Sequence, residues 1–215
     1  MKVSDIVVAL LKFCRIALFS FLMLFSSVIL NAQTCCTYPG WTYKIPITID
    51  NSSNSDSLSD YQVLLILDTQ NPISLGKMKS DGSDIRFKDQ NCNDLFYWIE
   101  SGINTDTTKV WVKLLSVPAN SSVVVAMFFG SPSAVAASNG DLTFIFFDGF
   151  DSTAVDMSKW SINGTPVITF SSGYINIASN VNTLVEGLYS TKVLDNVILE
   201  AEIKGTFQSG SMSGG

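Results

Sequence analysis

The stretch Ser80–Glu100 reads SDGSDIRFKDQNCNDLFYWIE, and its pattern decides the predicted fold. It predicts two short strands, Asp84–Lys88 and Leu95–Glu100, joined by a polar turn. In the first strand Ile85 and Phe87 alternate with charged residues. Because strand side chains point alternately to opposite faces, the apolar pair is expected on one face and Asp84, Arg86 and Lys88 on the other. The stretch therefore predicts a β-hairpin.

Four further strand-like segments surround this hairpin. Trp41–Asp50 alternates apolar with polar residues, and Pro46 within it indicates an edge strand or a bulge. The others are the apolar run Tyr61–Asp68, which is short enough for a buried strand, and the runs Thr107–Leu115 and Ser121–Phe129. Gly, Pro, Asn and Ser separate these segments. Six short strands of this kind predict an all-β fold, an antiparallel β-sandwich, rather than a helical or βαβ fold.

An aromatic stretch, Asp141–Asp151, separates the sandwich from a second group of strand-like runs. The second group ends in the Gly/Ser-rich Ser209–Gly215 before a sheet is complete, and an open sheet would expose strand edges. We therefore expect an incomplete second β unit or a chain that is a fragment. Its runs are Val167–Phe170, Tyr174–Ala178, Thr183–Tyr189 and Val197–Lys204. The predicted boundaries are 1–32 for an N-terminal signal helix, 38–140 for the sandwich and 145–215 for the second unit.

The first 32 residues have the pattern of a secretory signal peptide. Three basic residues precede the apolar run Ile16–Leu30, and a small residue, Ala32, ends the segment. The alternative is an uncleaved membrane anchor, but Lys12 and Arg15 interrupt the longer apolar stretch, where charges are costly. We expect cleavage after Ala32, a secreted or cell-surface location, and no stable membrane span after cleavage.

The charge balance argues against a nucleic-acid partner. The chain has 13 Lys and Arg against 19 Asp and Glu, and removing residues 1–32 leaves 10 against 18, a net charge of −8. The densest basic pair, Lys77 and Lys79, is followed by Asp81 and Asp84. Nucleic-acid binding requires a basic patch to contact phosphates, and no such cluster stands in the sequence.

Four cysteines are present, of which Cys14 lies in the signal segment. In an oxidising compartment Cys92 is expected to form a disulfide with either Cys35 or Cys36, which would tie the N-terminus to the hairpin. The remaining thiol is then left over. Because the chain has no histidine and no CxxC pair, a zinc site is not expected.

The residue inventory predicts no catalytic centre within this chain. Without histidine, Ser-His-Asp and Cys-His catalysis are excluded. Glu200 and Glu202 share one strand face, and a pair of carboxylates can cleave glycosides, but a solvent-facing row is the favoured interpretation. Asp148 and Asp151, together with Asp156, are the candidates for a calcium site at the junction, since Ca²⁺ takes several oxygen ligands. We expect no cofactor, with Ca²⁺ as the alternative.

Aromatic residues are the candidates for ligand binding. Six aromatic residues could form a platform for sugar rings, because aromatic faces suit the apolar faces of pyranoses. They are Trp41, Tyr43, Tyr97, Trp98, Trp111 and Trp160, of which Trp98, Tyr97 and Trp41 are the predicted binding residues. Tyr97 and Trp98 are neighbours in a strand and point to opposite faces, so one of them is expected outside the core. The competing interpretation is that most of these rings pack in the core.

Several short motifs together resemble a bacterial and archaeal surface module, the domain of unknown function 2341. The resemblance covers about residues 41–151. The cysteines are not part of the family pattern. The motifs, in order, are Trp41–Asn51, Tyr61–Val63, Asp81–Phe87, Tyr97–Glu100, Val110–Lys113, Val117–Ala119, Phe128–Gly130 and Ser138–Asp141.

The resemblance implies a place in a large secreted protein, with a concanavalin A-like, laminin G-like jelly roll after the module. Three motifs in the tail, Phe147–Asp151, Met157–Trp160 and Leu199–Lys204, are similar to parts of such a jelly roll. Glucanases with this fold carry an acidic motif further along, which this chain does not contain, so enzymatic activity of a longer protein stays open.

Three functional hypotheses follow. The leading one is a non-catalytic secreted or cell-surface module that binds or presents glycan or another surface partner. The second is an accessory domain of a glycan-active hydrolase whose catalytic residues lie beyond this chain. The third is a structural spacer in a modular adhesin.

Overall fold

The computed structural model describes residues 36–171, 173–179, 186–195, 197–199 and 201. Some predictions lie outside the described residues, namely those on Cys35, Glu200 and Glu202 and the predicted signal segment 1–32 with its predicted cleavage site at Ala32. Among the described residues, no helix is long and apolar enough to cross a membrane. The chain divides into two compact units, 1–147 and 148–215.

The first unit consists of two antiparallel sheets, which confirms the predicted all-β fold. The first sheet has the strand order β1-β7-β3-β4, and the second sheet has the order β2-β6-β5. The strands are β1 Tyr43–Asn51, β2 Leu58–Leu67, β3 Arg86–Lys88, β4 Asp94–Leu95, β5 Tyr97–Ser101, β6 Thr108–Val117 and β7 Ser121–Phe129. Two short helices, α1 Gln70–Ser74 and α2 Gly140–Thr143, complete the unit.

The core lies between the two sheets and is built from alternate residues of their strands. Ile85 and Phe87, which alternate with charged residues in Ser80–Glu100, are 0% and 1% exposed. Val110 and Val112 on β6 meet them from the second sheet, and Val125 on β7 completes the centre. Burial of apolar surface of this kind supplies most of the driving force for folding.

The predicted hairpin is divided between the two sheets. β3 pairs with the two-residue β4, whereas β5 pairs with β6 in the second sheet. The predicted single strand Leu95–Glu100 is therefore wrong, because the chain changes sheet at Phe96, which is 50% exposed. The predicted strand Asp84–Lys88 begins two residues later, at Arg86, so Asp84 lies just before β3, where it is 0% exposed.

Of the two predictions made for the edge strands, the position of Pro46 is confirmed and the burial of β2 is wrong. β1 is at the edge of the first sheet, so Pro46 stands where its missing N–H can face away from the ladder, as predicted. The apolar run in β2 was predicted to be buried, but Leu64 is 38% and Ile66 is 55% exposed. β2 is an edge strand with a core on one face only, so alternate residues remain at the surface.

The second unit contains four strands in two antiparallel pairs among its described residues. β8 Trp160–Asn163 pairs with β11 Gly187–Ser190, and β9 Val167–Ser171 pairs with β10 Tyr174–Ala178. β9 and β10 stand where the sequence predicted them, whereas β8 was missed. Of the predicted run Val197–Lys204, residues 197–199 and 201 are described, and they are not in a strand.

Candidate functional site

The outer face of the second sheet carries side chains that the core does not use. The register places Trp98 on β5 opposite Trp111 on β6, and Trp111 opposite Leu64 on β2. Lys109 and Lys113, on either side of Trp111, point the same way because strand faces alternate. We call this surface, formed by Leu64, Trp98, Glu100, Lys109, Trp111 and Lys113, the outer face.

The two tryptophans are half-buried and belong to an aromatic cluster. Phe144 contacts both of them edge-on, with ring centroids 5.8 Å from Trp98 and 5.5 Å from Trp111. Phe147 contacts Trp98 at 4.7 Å and is stacked on Phe144. Such edge-to-face pairs contribute beyond their buried area. The tryptophans are therefore held in fixed positions at the surface of the sheet.

Glu100 supplies the charge beside these rings. The Trp111 indole Nε1–H donates to Glu100 Oε2 at 2.7 Å, and Lys109 Nζ lies 3.2 Å from Glu100 Oε1. The Glu100 side chain is 28% exposed. A carboxylate, an ammonium group and two indole rings thus lie together, an arrangement that can bind polar rings with an apolar face. Sequence reasoning singled out Trp98 but missed Glu100, which becomes informative only when the strand register is known.

Residues 138–147, the covering segment, form the aromatic side of this site. Ser138 Oγ accepts from the Ile99 amide at 2.8 Å, and the Asn139 amide donates to the Tyr97 carbonyl at 2.8 Å, so the segment lies along the edge of β5. Asn139 then caps α2, because its side chain accepts from the Leu142 amide. Gly140 lies against the Phe147 ring. The covering segment therefore closes one edge of the second sheet and part of its outer face.

Tyr97 was a predicted binding residue, but it lies in the core. It is 2% exposed, and its hydroxyl donates to the Ile85 carbonyl at 2.6 Å. Burial raises the pKa of the Tyr97 hydroxyl above its usual value. As adjacent strand residues must, Tyr97 and Trp98 point to opposite faces, and only Trp98 reaches the surface.

Trp41, the third predicted binding residue, lies on the opposite side of the sandwich from the outer face. Its ring centroid is 4.3 Å from that of Tyr38, and the Arg86 guanidinium lies over it at 5.2 Å. Its Nε1–H donates to the Asp84 carbonyl. Trp41 and Trp98 therefore belong to separate clusters and cannot form one platform.

Cys92 forms a disulfide with Cys36. The sequence left Cys35 and Cys36 as alternative partners, and the bond uses Cys36. The bond fixes residues 36–41 against the outer surface of the first sheet, where Cys36, Tyr38 and Trp41 pack on Ala126 and Phe128.

Arg86 links several backbone segments on this side of the sandwich through hydrogen bonds. Its guanidinium donates to four oxygens of the surrounding chain, namely the carbonyls of Ser83, Ile85 and Val135 and the hydroxyl of Tyr97.

Asp84 is a buried carboxylate that the sequence analysis missed as a structural anchor. It accepts hydrogen bonds from the amides of Lys79 (3.1 Å), Gly130 (2.7 Å) and Ser131 (3.3 Å). Gly130 has φ +87°, and a Cβ there would collide with the Tyr43 ring, which explains glycine at this position. Asp84 thus joins β3 to the end of β7.

The aspartates at the junction make local hydrogen bonds in the second unit. Asp148 Oδ2 accepts from Trp160 Nε1 at 2.7 Å, and its Oδ1 accepts from the Phe150 amide at 2.8 Å. Hydrogen bonds from Ser158 lower the pKa of Asp156. Among the described residues, no group of three or more His, Cys, Asp or Glu side chains is placed so that it could hold a metal ion, and the calcium site at Asp148 and Asp151 stays a prediction.

The comparisons with known proteins place the site within a recognised sequence segment. Residues 81–163 match the sequence model of the family described as Domain of unknown function (DUF2341). The DUF2341 match includes Trp98, Glu100 and Trp111 and begins after β1 and β2, so the motifs quoted before residue 81 lie outside it.

One relative of this chain is the "Uncharacterized protein 562" of Sulfolobus islandicus rod-shaped virus 1. It is 40% identical over 86 residues, which are 38% of this chain but only 15% of that protein. The chain therefore spans a small part of the curated relative it matches. No solved structure gives a significant match.

Proposed function

We propose that the chain is an exported, non-catalytic module that binds carbohydrate on the outer face of the second sheet. The observation that carries this proposal is the Trp98–Trp111 pair, which lies outside the core with Glu100 bound to the Trp111 indole. A sugar ring needs an apolar surface for its C–H face and polar groups for its hydroxyls. The two indole rings offer the first, and Glu100 and Lys109 offer an acceptor and a donor.

Two features support export. The first 32 residues have the charge and hydropathy pattern of a signal peptide that is cleaved after Ala32. The Cys36–Cys92 disulfide supports an oxidising location, because such bonds persist mainly outside the reducing cytosol. The proposed location is the cell surface or the medium.

The second unit is proposed to begin a concanavalin A-like jelly roll within residues 145–215. Its two antiparallel strand pairs support this assignment. So does the contact between two motifs separated in sequence, since Phe150 stacks on Trp160 with centroids 5.8 Å apart. A binding module followed by such a fold suits a modular surface protein.

A structural spacer is the second candidate, and one observation favours it. The chain itself covers parts of both outer surfaces, with the covering segment over Trp98 and Trp111 and the disulfide-tied residues 36–41 over Phe128. A spacer would use these rings to stiffen the sandwich and would bind nothing with them.

A glycan-binding assay with three variants separates the two candidates. We expect the secreted chain to bind at least one class of immobilised polysaccharide, and Glu100→Gln to weaken that binding about tenfold, a loss of one charge-assisted hydrogen bond. Trp98→Ala should abolish binding, whereas Trp41→Phe, on the other side, should leave it unchanged. Absence of binding to a broad glycan array, or a Trp98→Ala effect on stability alone, would leave the spacer as the function.

A further inference from the structure

We propose that the open edge of β2 binds an extended segment of another protein, whose apolar middle is flanked by Lys or Arg residues. This goes beyond carbohydrate binding and does not depend on it. The segment would add a strand to the second sheet through main-chain hydrogen bonds, a recurring mode of peptide recognition.

The strand register shows which backbone groups face this edge. β2 pairs with β6 alone among the described strands. The Lys113 amide donates to the Phe96 carbonyl, so the backbone groups of Lys109, Trp111 and Lys113 on β6 point toward β5. The β6 residues between them point their backbone groups toward β2. Gln62, Leu64 and Ile66 on β2 lie opposite Lys113, Trp111 and Lys109, so their own N–H and C=O groups point away from β6, to the open edge.

The other edges of the first unit are less suited to strand addition. β1 carries Pro46, which cannot donate to a ladder, and β4 has only two residues. The edge of β5 is occupied, because Ser138 and Asn139 bond to the backbone of Ile99 and Tyr97. β2 has no proline, and its residues Tyr61–Leu67 pair with β6 without interruption. The Gln62 side chain donates to the Thr143 carbonyl of the covering segment at 3.0 Å, which leaves the backbone groups of the edge to a partner strand.

The side chains along this edge suit an apolar strand. No charged residue lies between Tyr61 and Leu67. Ile66 is 55% exposed and Leu64 is 38% exposed, both on the outer face, while Tyr61 is 41% exposed. A partner strand with apolar residues at alternate positions would bury these groups and satisfy the free backbone groups together.

The charges at the two ends of the edge decide what kind of strand fits. Asp60 lies just before the regular edge Tyr61–Leu67, because its φ is +50° and it has no partner in the register with β6. Its side chain is 69% exposed and lies 3.2 Å from Lys113 Nζ, and the exposed Asp68 follows Leu67. If two copies paired antiparallel about Leu64, Asp60 of each would come close to Asp68 of the other, and like charges facing each other across strands are destabilising. A partner strand with Lys or Arg at both ends would instead place a positive charge near Asp60 and another near Asp68, and both contacts are favourable.

A peptide-binding experiment with the full chain tests this inference. The probe is a fluorescent peptide of alternating Val and Thr with two Lys residues at each end, and its matched control has Glu in place of Lys. We expect saturable binding of the Lys peptide, at least about tenfold weaker binding of the Glu peptide, and weakening by salt. N-methylation of the amides along one edge of the peptide should abolish binding, and methylation along the other edge should not.

Variants of the chain locate the site. Asp60→Asn with Asp68→Asn should weaken Lys-peptide binding without unfolding. The carboxamide introduced at position 68 would keep an oxygen for the Asn71 amide, which Asp68 now bonds at 3.0 Å. Leu64→Pro removes an amide at the open edge but none that faces β6, and should abolish binding.

Three outcomes would overturn the proposal. The first is that the Lys peptide does not bind, and the second is that N-methylation has the same effect on either edge of the peptide. The third is that the chain dimerises through an interface that Leu64→Pro removes, which would make a second copy the occupant. The N-methylated peptides keep the test valid if Leu64→Pro fails to fold.

Discussion

At the scale of single residues, Asp84 shows how one buried carboxylate can organise several segments. It is completely buried, and three amides donate to it. One belongs to Lys79, five residues earlier in the chain, and the other two belong to Gly130 and Ser131, just after β7. A buried charge is costly unless it is hydrogen-bonded, and backbone amides are well suited to an anion. Asp84 therefore has a structural role that its place in an Asp-rich stretch conceals.

Replacing Asp84 with Asn is expected to destabilise the chain by about 2–3 kcal/mol. Asn has one acceptor oxygen in place of two, and its NH₂ group would face backbone amides, so at least one buried donor loses its partner. The measurement is the midpoint of urea unfolding. Asp94→Asn is the matched control, because Asp94 is 66% exposed in an ion pair with Lys88 and should change stability little. Equal effects of the two substitutions would contradict the assigned role.

At the scale of elements, the covering segment shows how a connection shapes the candidate site. The segment leaves β7, lies along the edge of β5 through Ser138 and Asn139, and places Phe144 and Phe147 on the tryptophans. The close approach of its backbone to Phe147 requires a residue without a side chain at position 140. The site is therefore built by a loop as much as by the sheet beneath it.

Gly140→Ala is expected to destabilise the chain by about 1–3 kcal/mol and to disturb the outer face. A Cβ at this position would overlap the Phe147 ring, which packs on Trp98, and overpacking costs about this much. Thermal unfolding and tryptophan fluorescence measure the two effects.

The double variant Gly140→Ala with Phe147→Leu should recover most of the loss, since the smaller side chain makes room. Gly187→Ala, where a Cβ would have no neighbour within 4 Å, should be close to neutral. An unchanged stability of Gly140→Ala would show that the covering segment is not packed as described.

At the scale of the first unit, the disulfide and the covering segment secure the two outer sides of the sandwich. Cys36 and Cys92 are separated by 56 positions in the sequence, so the bond closes a long loop that contains β1, β2 and β3. Closing a long loop reduces the entropy of the unfolded chain. Residues 36–41 are thereby made part of the fold.

Cys36→Ser is expected to destabilise the chain by about 2–4 kcal/mol under oxidising conditions, the usual contribution of a disulfide with a loop of this size. Reduction of the unmodified chain should lower its stability by a similar amount and leave Cys36→Ser unaffected. Cys35→Ser is the control and should retain the bond. If Cys36→Ser kept a bond that the reductant breaks, Cys35 would be able to pair with Cys92 in its place. Urea unfolding with and without a thiol reductant is the measurement.

The sequence by itself determined the fold class and much of the element order. Alternation predicted that Ile85 and Phe87 share one face, because strand side chains two residues apart point the same way. Pro46 predicted an edge position, because its missing N–H excludes it from the middle of a sheet. These properties are local, and neighbouring residues are enough to specify them.

Only the tertiary structure decided how the strands combine. It placed the sheet change at Phe96, chose Cys36 over its neighbour, buried Asp84, and set Trp98 beside Trp111 and Glu100. The physical reason is that pairing and burial depend on segments distant in the chain, whereas a sequence pattern reports only period and face. The candidate site lies across two strands and a loop, so its composition follows from their packing.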